Sequence, residues 1–172
     1  MTTVNDVHEG LSASPKEMHH GFCYGGSSGE LFANVCYHPD YYLYRSDLHN
    51  CANAAKDVKP FVDKDTVFVE FGCGLCEKSI PCLKELTDVS TFVAVDIDPV
   101  VLEDGKNLVQ KEFPDLKIVT QVADLFKPFE LPVTGKRTVG LLAAGMLHAF
   151  AKDGKTSAAE EVEWEEVCSF VQ

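Results

Sequence analysis

The sequence has no cluster of lysine and arginine. Among its 172 residues, Lys and Arg supply 15 against 27 Asp and Glu, which leaves a formal net charge of −12. A chain with that balance and no basic stripe is poorly suited to a phosphate backbone, so no nucleic acid partner is expected. Long apolar runs are also missing. None approaches the roughly 20 residues that a membrane-spanning helix needs, so no membrane partner is expected. The opening MTTVNDVHEG has neither a basic start nor an apolar centre and does not read as a secretory signal. Seven cysteines, an odd number without such a signal, fit a disulfide framework badly; reduced thiols and a cytoplasmic setting are the expectation. No Gly-Lys-Ser/Thr follows the GGSSG run, which excludes a phosphate loop there. Internal repeats and low-complexity stretches are lacking.

What is present is an ordinary globular balance, 45% hydrophobic and 24% charged, in a length that suits one domain. Residues 1–21 are polar with little periodicity and read as a loose arm. Residues 22–60 read as a helical, substrate-side segment. In it GFCYGGSSGELF is a loop entering a short helix near Glu30, and a turn at Pro39 precedes three tyrosines. Ser46 then caps a helix with Leu48, Cys51, Ala52, Ala55 and Val58 at helical spacing.

Over residues 61–150 the pattern becomes strand, turn, helix, repeated. Thr66 to Phe71 is an apolar run without alternation, expected of a strand covered on both faces. Ile80, Leu83 and Leu86 mark the next helix, with Pro81 in its first turn. Thr91 to Asp96 is a second strand, and Asp98 and Pro99 form the cap and first position of a helix with Leu102, Gly105, Val109 and Phe113 inward. Lys117 to Val122 and Thr138 to Ala144 are the third and fourth strands. The alternation predicts a doubly wound, Rossmann-like α/β parallel sheet, short at about four strands. Residues 151–172 read as an acidic helix with Val162, Trp164, Val167 and Phe170 as its apolar contacts.

The chemistry concentrates in VFVEFGCGLCEKS, Val67 to Ser79. Gly72 and Gly74 let the backbone bend after a buried strand and approach a ligand with no Cβ in the way. Asp96 ends the neighbouring strand roughly 20 residues later, where a carboxylate accepts hydrogen bonds from both ribose hydroxyls. The bland reading is a strand-to-helix connector and a surface acid. A dinucleotide fingerprint needs glycine where Glu77 stands, and carboxylates repel a pyrophosphate. Glu70 and Glu77 instead favour a cation, and S-adenosylmethionine carries a sulfonium and no phosphate. Cys73 and Cys76 form C-x-x-C, yet two further zinc ligands at suitable spacing are absent and the flanking glycines suit a nucleotide loop better than a redox motif. His19 and His20 read as solvated.

Four blocks, YGGSSGELF, HPDYYLYRSD, VEFGCGLCEKS with VAVDIDPVVL, and ADLF followed by GLLAAGMLHAF, together resemble the histidine-specific methyltransferases of ergothioneine biosynthesis from about Gly21 to Phe150. The resemblance implies an S-adenosylmethionine-dependent N-methyltransferase acting on the α-amine of histidine or a related amino acid. It implies cofactor contacts at Gly72 and Lys78, a ribose acid at Asp96, and Asp124 and Leu125 at the adenine end. Tyr24 would reach over the cofactor and Tyr41 would line the amino-acid pocket. Without the family, Lys78 is a solvated lysine, Asp124 a helix cap, and the tyrosines amphipathic core residues.

Two features depart from that family. Ala149 stands where the family's asparagine binds the substrate carboxylate, and a methyl group cannot make that hydrogen bond; His148 beside it reads either as its substitute or, the reading favoured, as a satisfied core histidine. Family members also continue past this point with more sheet and a substrate domain. The alternative expectation is therefore a shortened, catalytically silent module that binds S-adenosylmethionine or a partner. A methyltransferase for a different small amine stands as a third. No general base is legible, and oligomeric state is left open.

Overall fold

In the computed structural model, residues 4–18, 28–125, 127–133, 135–143 and 146 are described. The expectations for Tyr24, His148, Ala149 and the acidic helix over 151–172 lie outside them. The chain divides into two compact units, residues 1–44 and residues 45–172. That division falls earlier than the expected one near residue 60, because Cys51 and Ala55 are buried in the core of the second unit.

In the first unit, the loose arm contains a helix, α1 (Val4–Ser12), with no buried residue. Helix α2 (Ser28–Cys36) follows the glycine-rich stretch as expected. Tyr41 is half-buried, and Tyr37 meets Tyr44 edge to face at 5.8 Å.

Helix α3 (Tyr42–Val58) begins four residues before the expected Ser46 cap, directly after the Pro39–Asp40 turn. The second unit is a parallel sheet of β1 (Thr66–Phe71), β2 (Thr91–Asp96), β3 (Lys117–Val122) and β4 (Arg137–Leu141), ordered β3-β2-β1-β4. Helices α4 (Ser79–Glu85) and α5 (Pro99–Glu112) make the crossovers from β1 to β2 and from β2 to β3. Asp98 caps α5 as expected, its carboxylate accepting from the Val100 and Val101 amides.

All six residues of β1 are buried, since it lies between β2 and β4 with both faces covered. One face carries Phe68, stacked on Phe92 at 5.7 Å, against Cys51 and Ala55 of α3, Cys82 and Leu83 of α4, and Leu102 and Val109 of α5. The other carries Val67, Val69 and Phe71 with Val93 and Val95, packed against Ala123, Leu125, Phe129, Leu131 and Val133. Its cover is the segment leading from β3 back across the sheet to β4, in which no helix is described. The winding direction reverses there: β1 leads outward through β2 to β3, and the chain then returns to β1's other side. Ligands of open α/β sheets bind beyond the strand ends at such a reversal.

Candidate functional site

Three strand ends converge at that reversal. After Phe71 the chain bends through Gly72, with φ +69°, and Gly74, with φ +51°. Both values lie in the left-handed region, which glycine enters without a Cβ penalty. The amides of Gly72 and Cys73 both donate to the Val95 carbonyl of β2, at 2.8 and 3.1 Å. The Gly74 amide donates to Asp96 Oδ2 at 2.9 Å, and the Cys76 amide to the Cys73 carbonyl at 2.8 Å. The Asp98 amide donates to Asp96 Oδ1 at 3.1 Å. Asp96 thus ties the glycine turn to the start of α5.

This geometry bears on which ligand fits. An anion-binding loop holds phosphate with inward-facing amides. Here four of them, at residues 72, 73, 74 and 76, are already engaged within the protein. A phosphate-free nucleoside suits such a turn better than a dinucleotide. Half-buried Asp96 has used one oxygen for each amide, and a carboxylate offers about four lone-pair sites. It retains accepting capacity for hydroxyl donors.

Beyond β3, the Ala123 amide donates to the Asp96 carbonyl at 3.0 Å, which brings Asp124 and Leu125 to the same edge of the sheet. Leu125 is buried with Val93 and Val95. Among the described residues no helix follows Asp124, and its carboxylate pairs with Lys127 Nζ at 2.9 Å. Lys78 is half-buried at the N-cap of α4. Tyr41 belongs to the other unit.

Glu70 departs from expectation. Its side chain is 1% exposed, and Ser79 Oγ donates to its Oε2 at 2.5 Å. Burial pushes its carboxyl up to about 8, opposed by the Ser79 hydrogen bond and by Lys78. Burial thus favours the protonated acid at neutral pH, so its charge depends on pH where the expectation took it as a fixed negative charge. The cysteines also lie inside. Cys73 and Cys76 are buried, and the Cys73 thiol is raised first by its contact with Cys76 and then by burial, which makes it a poor nucleophile. Among the described residues no group of three or more metal-ligating side chains is found.

Three residues were not legible as parts of this site, and neither was the backbone conformation of Cys76 in the glycine loop. Cys76 adopts φ +57°, a left-handed conformation at a non-glycine residue. Gly105 of α5 is where the turn presses: a Cβ added there would lie 2.8 Å from Cys76 Sγ and 3.0 Å from the Gly74 carbonyl oxygen. The helical pattern marked Gly105 as inward but could not say against what. Met146 follows β4, and its Sδ would lie 2.8 Å from a Cβ on Gly72. It packs against the cluster that holds Val67, Val69 and Phe71, where the position of β4 beside β1 brings it. Ile97, 57% exposed directly after Asp96, offers an apolar surface at the strand end.

The Gly105 contact yields a direct prediction. Helix propensity alone favours Gly105→Ala by about 1 kcal/mol. Overpacking against the turn is expected to outweigh it and give a net loss of about 1–2 kcal/mol in urea unfolding. A stabilised variant would show that the turn does not rest on α5.

No helix among the described residues is long and apolar enough to cross a membrane. Among curated proteins none matches the sequence. Solved structures that resemble it include the plantazolicin methyltransferase BpumL in complex with SAH, at 11% identity over 74% of this chain and 46% of that one, with a TM-score of 0.48. DesVI of Streptomyces venezuelae is similar at 19% identity over 90% of this chain and 52% of that one, with a TM-score of 0.43. An S-adenosylmethionine-dependent methyltransferase from Clostridium acetobutylicum is similar at 15% identity over 64% and 42%, with a TM-score of 0.45. The chain spans about half or less of the length of each. The family described as histidine-specific methyltransferase, SAM-dependent, matches over residues 3–163, nearly the whole sequence. The chain belongs to that histidine-specific, S-adenosylmethionine-dependent methyltransferase family.

Proposed function

We propose that this chain binds S-adenosylmethionine at the C-terminal ends of β1, β2 and β3 and serves the methylation of the α-amine of histidine or a related amino acid. One observation carries the reading: Asp96 holds the Gly74 amide on one oxygen and the Asp98 amide on the other, at a turn where the amides of residues 72, 73, 74 and 76 are engaged inside the protein. That leaves an acceptor for ribose hydroxyls beside a turn with little to offer a phosphate.

On this reading Asp96 takes the ribose, Gly72 and Gly74 let the cofactor approach the backbone, and Lys78 lies beside its amino-acid end. Asp124 and Leu125 hold the adenine end, where exposed Ile97 adds apolar surface. Tyr24 would reach over the cofactor and Tyr41 would line the amino-acid pocket; these two assignments come from the family resemblance alone. The cofactor supplies a methyl carbon already activated by its sulfonium. With the cofactor held by Asp96, Gly72 and Gly74, a neutral substrate amine would take that methyl group, the carbon–sulfur electron pair would stay on sulfur, and the amine's proton would pass to solvent. What remains for the protein is alignment and exclusion of water, and proximity is the largest contribution to rate.

Calorimetric titration with S-adenosylmethionine, followed by a methyl-release assay with histidine and other amino acids, tests the reading. Binding in the micromolar range with turnover of histidine is expected. Binding without turnover of any amino acid would favour a silent cofactor-binding module. Turnover of another amine alone would overturn the histidine assignment.

A further inference from the structure

Glu70 is the one acidic or basic side chain buried among the described residues. By strand alternation it shares a face of β1 with Phe68, toward α3, α4 and α5. Its bond to Ser79 joins the residue two before Gly72 to the first residue of α4, closing the glycine turn from below. Ser79 bonds it from the start of α4, and Lys78 and Cys82 of the same helix end and body, Cys51 of α3, Cys73 of the turn and Asp96 of β2 are the titratable groups that act on it electrostatically. Its strand neighbours Ala94 and Leu141 carry no charge. Lys78 is the one cation in this set.

Burying an ionisable group costs stability, and such groups concentrate at functional sites. Glutamine in the same shape would avoid the ionisation, so the carboxyl calls for a use. We propose that Glu70 is a proton-linked charge beneath the glycine turn, by which the site distinguishes the methyl donor, with its cationic sulfur, from the demethylated product, whose sulfur is neutral. This inference rests on the cofactor reading given above.

Donor and product share the adenosine, the amino group and the carboxylate. They differ by one methyl group and one positive charge on sulfur. Any change in the turn's shape when Glu70 ionises acts on both alike, whereas attraction between the carboxylate and the sulfonium acts on the donor only. Burial holds the Glu70 carboxyl at about 8, so this charge appears just above neutral pH. Linkage is reciprocal: a bound cation draws the proton off Glu70 into solvent, and losing the sulfonium in the reaction lets the proton return. Charge on Glu70 therefore retains the donor and loosens the product.

Titrating S-adenosylmethionine and S-adenosylhomocysteine across roughly pH 6.5–9 tests this. The ratio of product Kd to donor Kd should rise on the order of five- to tenfold, centred near pH 8. Glu70→Gln should flatten the profile. Ser79→Ala removes a hydrogen bond that lowers the carboxyl's pKa and should move the midpoint to higher pH. The Cys51 thiol, lowered by its hydrogen bond with Cys82, is a rival titrating group, and Cys51→Ser should leave the midpoint in place. A constant ratio in the wild type, or a rise that survives Glu70→Gln, overturns the proposal. If Glu70→Gln fails to fold, an unmoved midpoint in Ser79→Ala does the same. Absence of donor binding at every pH would remove the cofactor reading itself, a result distinct from a flat ratio.

Discussion

Asp96→Ala is expected to weaken S-adenosylmethionine binding on the order of 30- to 100-fold, an effect of about 2–3 kcal/mol. Hydrogen bonds to a charged acceptor are worth roughly 1.5–3 kcal/mol each when the donors are otherwise desolvated. The variant loses the acceptor offered to the ribose and releases the Gly74 and Asp98 amides, so the turn loosens as the ligand contact disappears. The sheet itself should persist, because β2 is held by parallel pairing from both β1 and β3. Calorimetry for affinity and circular dichroism for fold read the two parts separately. Undiminished affinity in a folded Asp96→Ala protein would remove the ribose assignment.

The second large effect is one of stability, and it has a sign. In the native protein Glu70 keeps its proton to about pH 8, whereas in the unfolded chain it ionises in the ordinary carboxylate range near 4.5. Between those values the native state binds the extra proton, so raising the pH opposes folding. Below the window both states are protonated; above it both are ionised and the difference levels off. Glu70→Gln removes this linkage while keeping the shape and an oxygen to accept from Ser79. The variant should therefore gain on the wild type by up to about 1.4 kcal/mol per pH unit across the window, on the order of 3–5 kcal/mol in all. The pH slope is the readout, because any fixed cost of the extra amide N–H is the same at every pH. Urea unfolding of both proteins from about pH 5 to 8.5 measures it. Parallel stability curves would mean that Glu70 ionises normally and is not buried as described.

How much of this was legible depended on where the signal resides. Strands β1, β2 and β3 were read to the residue, because each is a short run rich in β-branched or aromatic residues, interrupted by Glu70 in β1, Ala94 in β2 and Gln121 in β3; Gly72 follows β1 and Asp96 closes β2. The Asp98–Pro99 start of α5 was equally plain, since a cap is a local hydrogen bond. Strand β4 begins one residue before the expected start and ends at Leu141; the apolar run continues past that point, so hydropathy alone could not mark the end. The start of α3 was hidden because Tyr42 and Tyr44 are weak helix formers and Ser46 imitates a cap inside the helix.

Within the site, spacing brought Gly72, Gly74 and Asp96 together because consecutive β-α units place successive strand ends side by side. Glu70 was placed at the right turn, but its burial and the resulting pH-dependent charge were not legible. A carboxylate near the end of a strand looks solvent-facing until Ser79 and the packing of α3 are known. Met146 and Gly105 depend on contacts made across the sheet reversal and between the turn and α5, which no local pattern encodes.

The central claim is that the Val67–Ser79 bend and Asp96 accommodate a cationic, phosphate-free nucleoside. Titration of the purified wild-type protein with S-adenosylmethionine, in parallel with a nicotinamide dinucleotide, addresses it most directly. Saturable binding of the former at micromolar concentrations, with none of the dinucleotide, is the predicted result. Saturable binding of the dinucleotide with no heat from S-adenosylmethionine would contradict it.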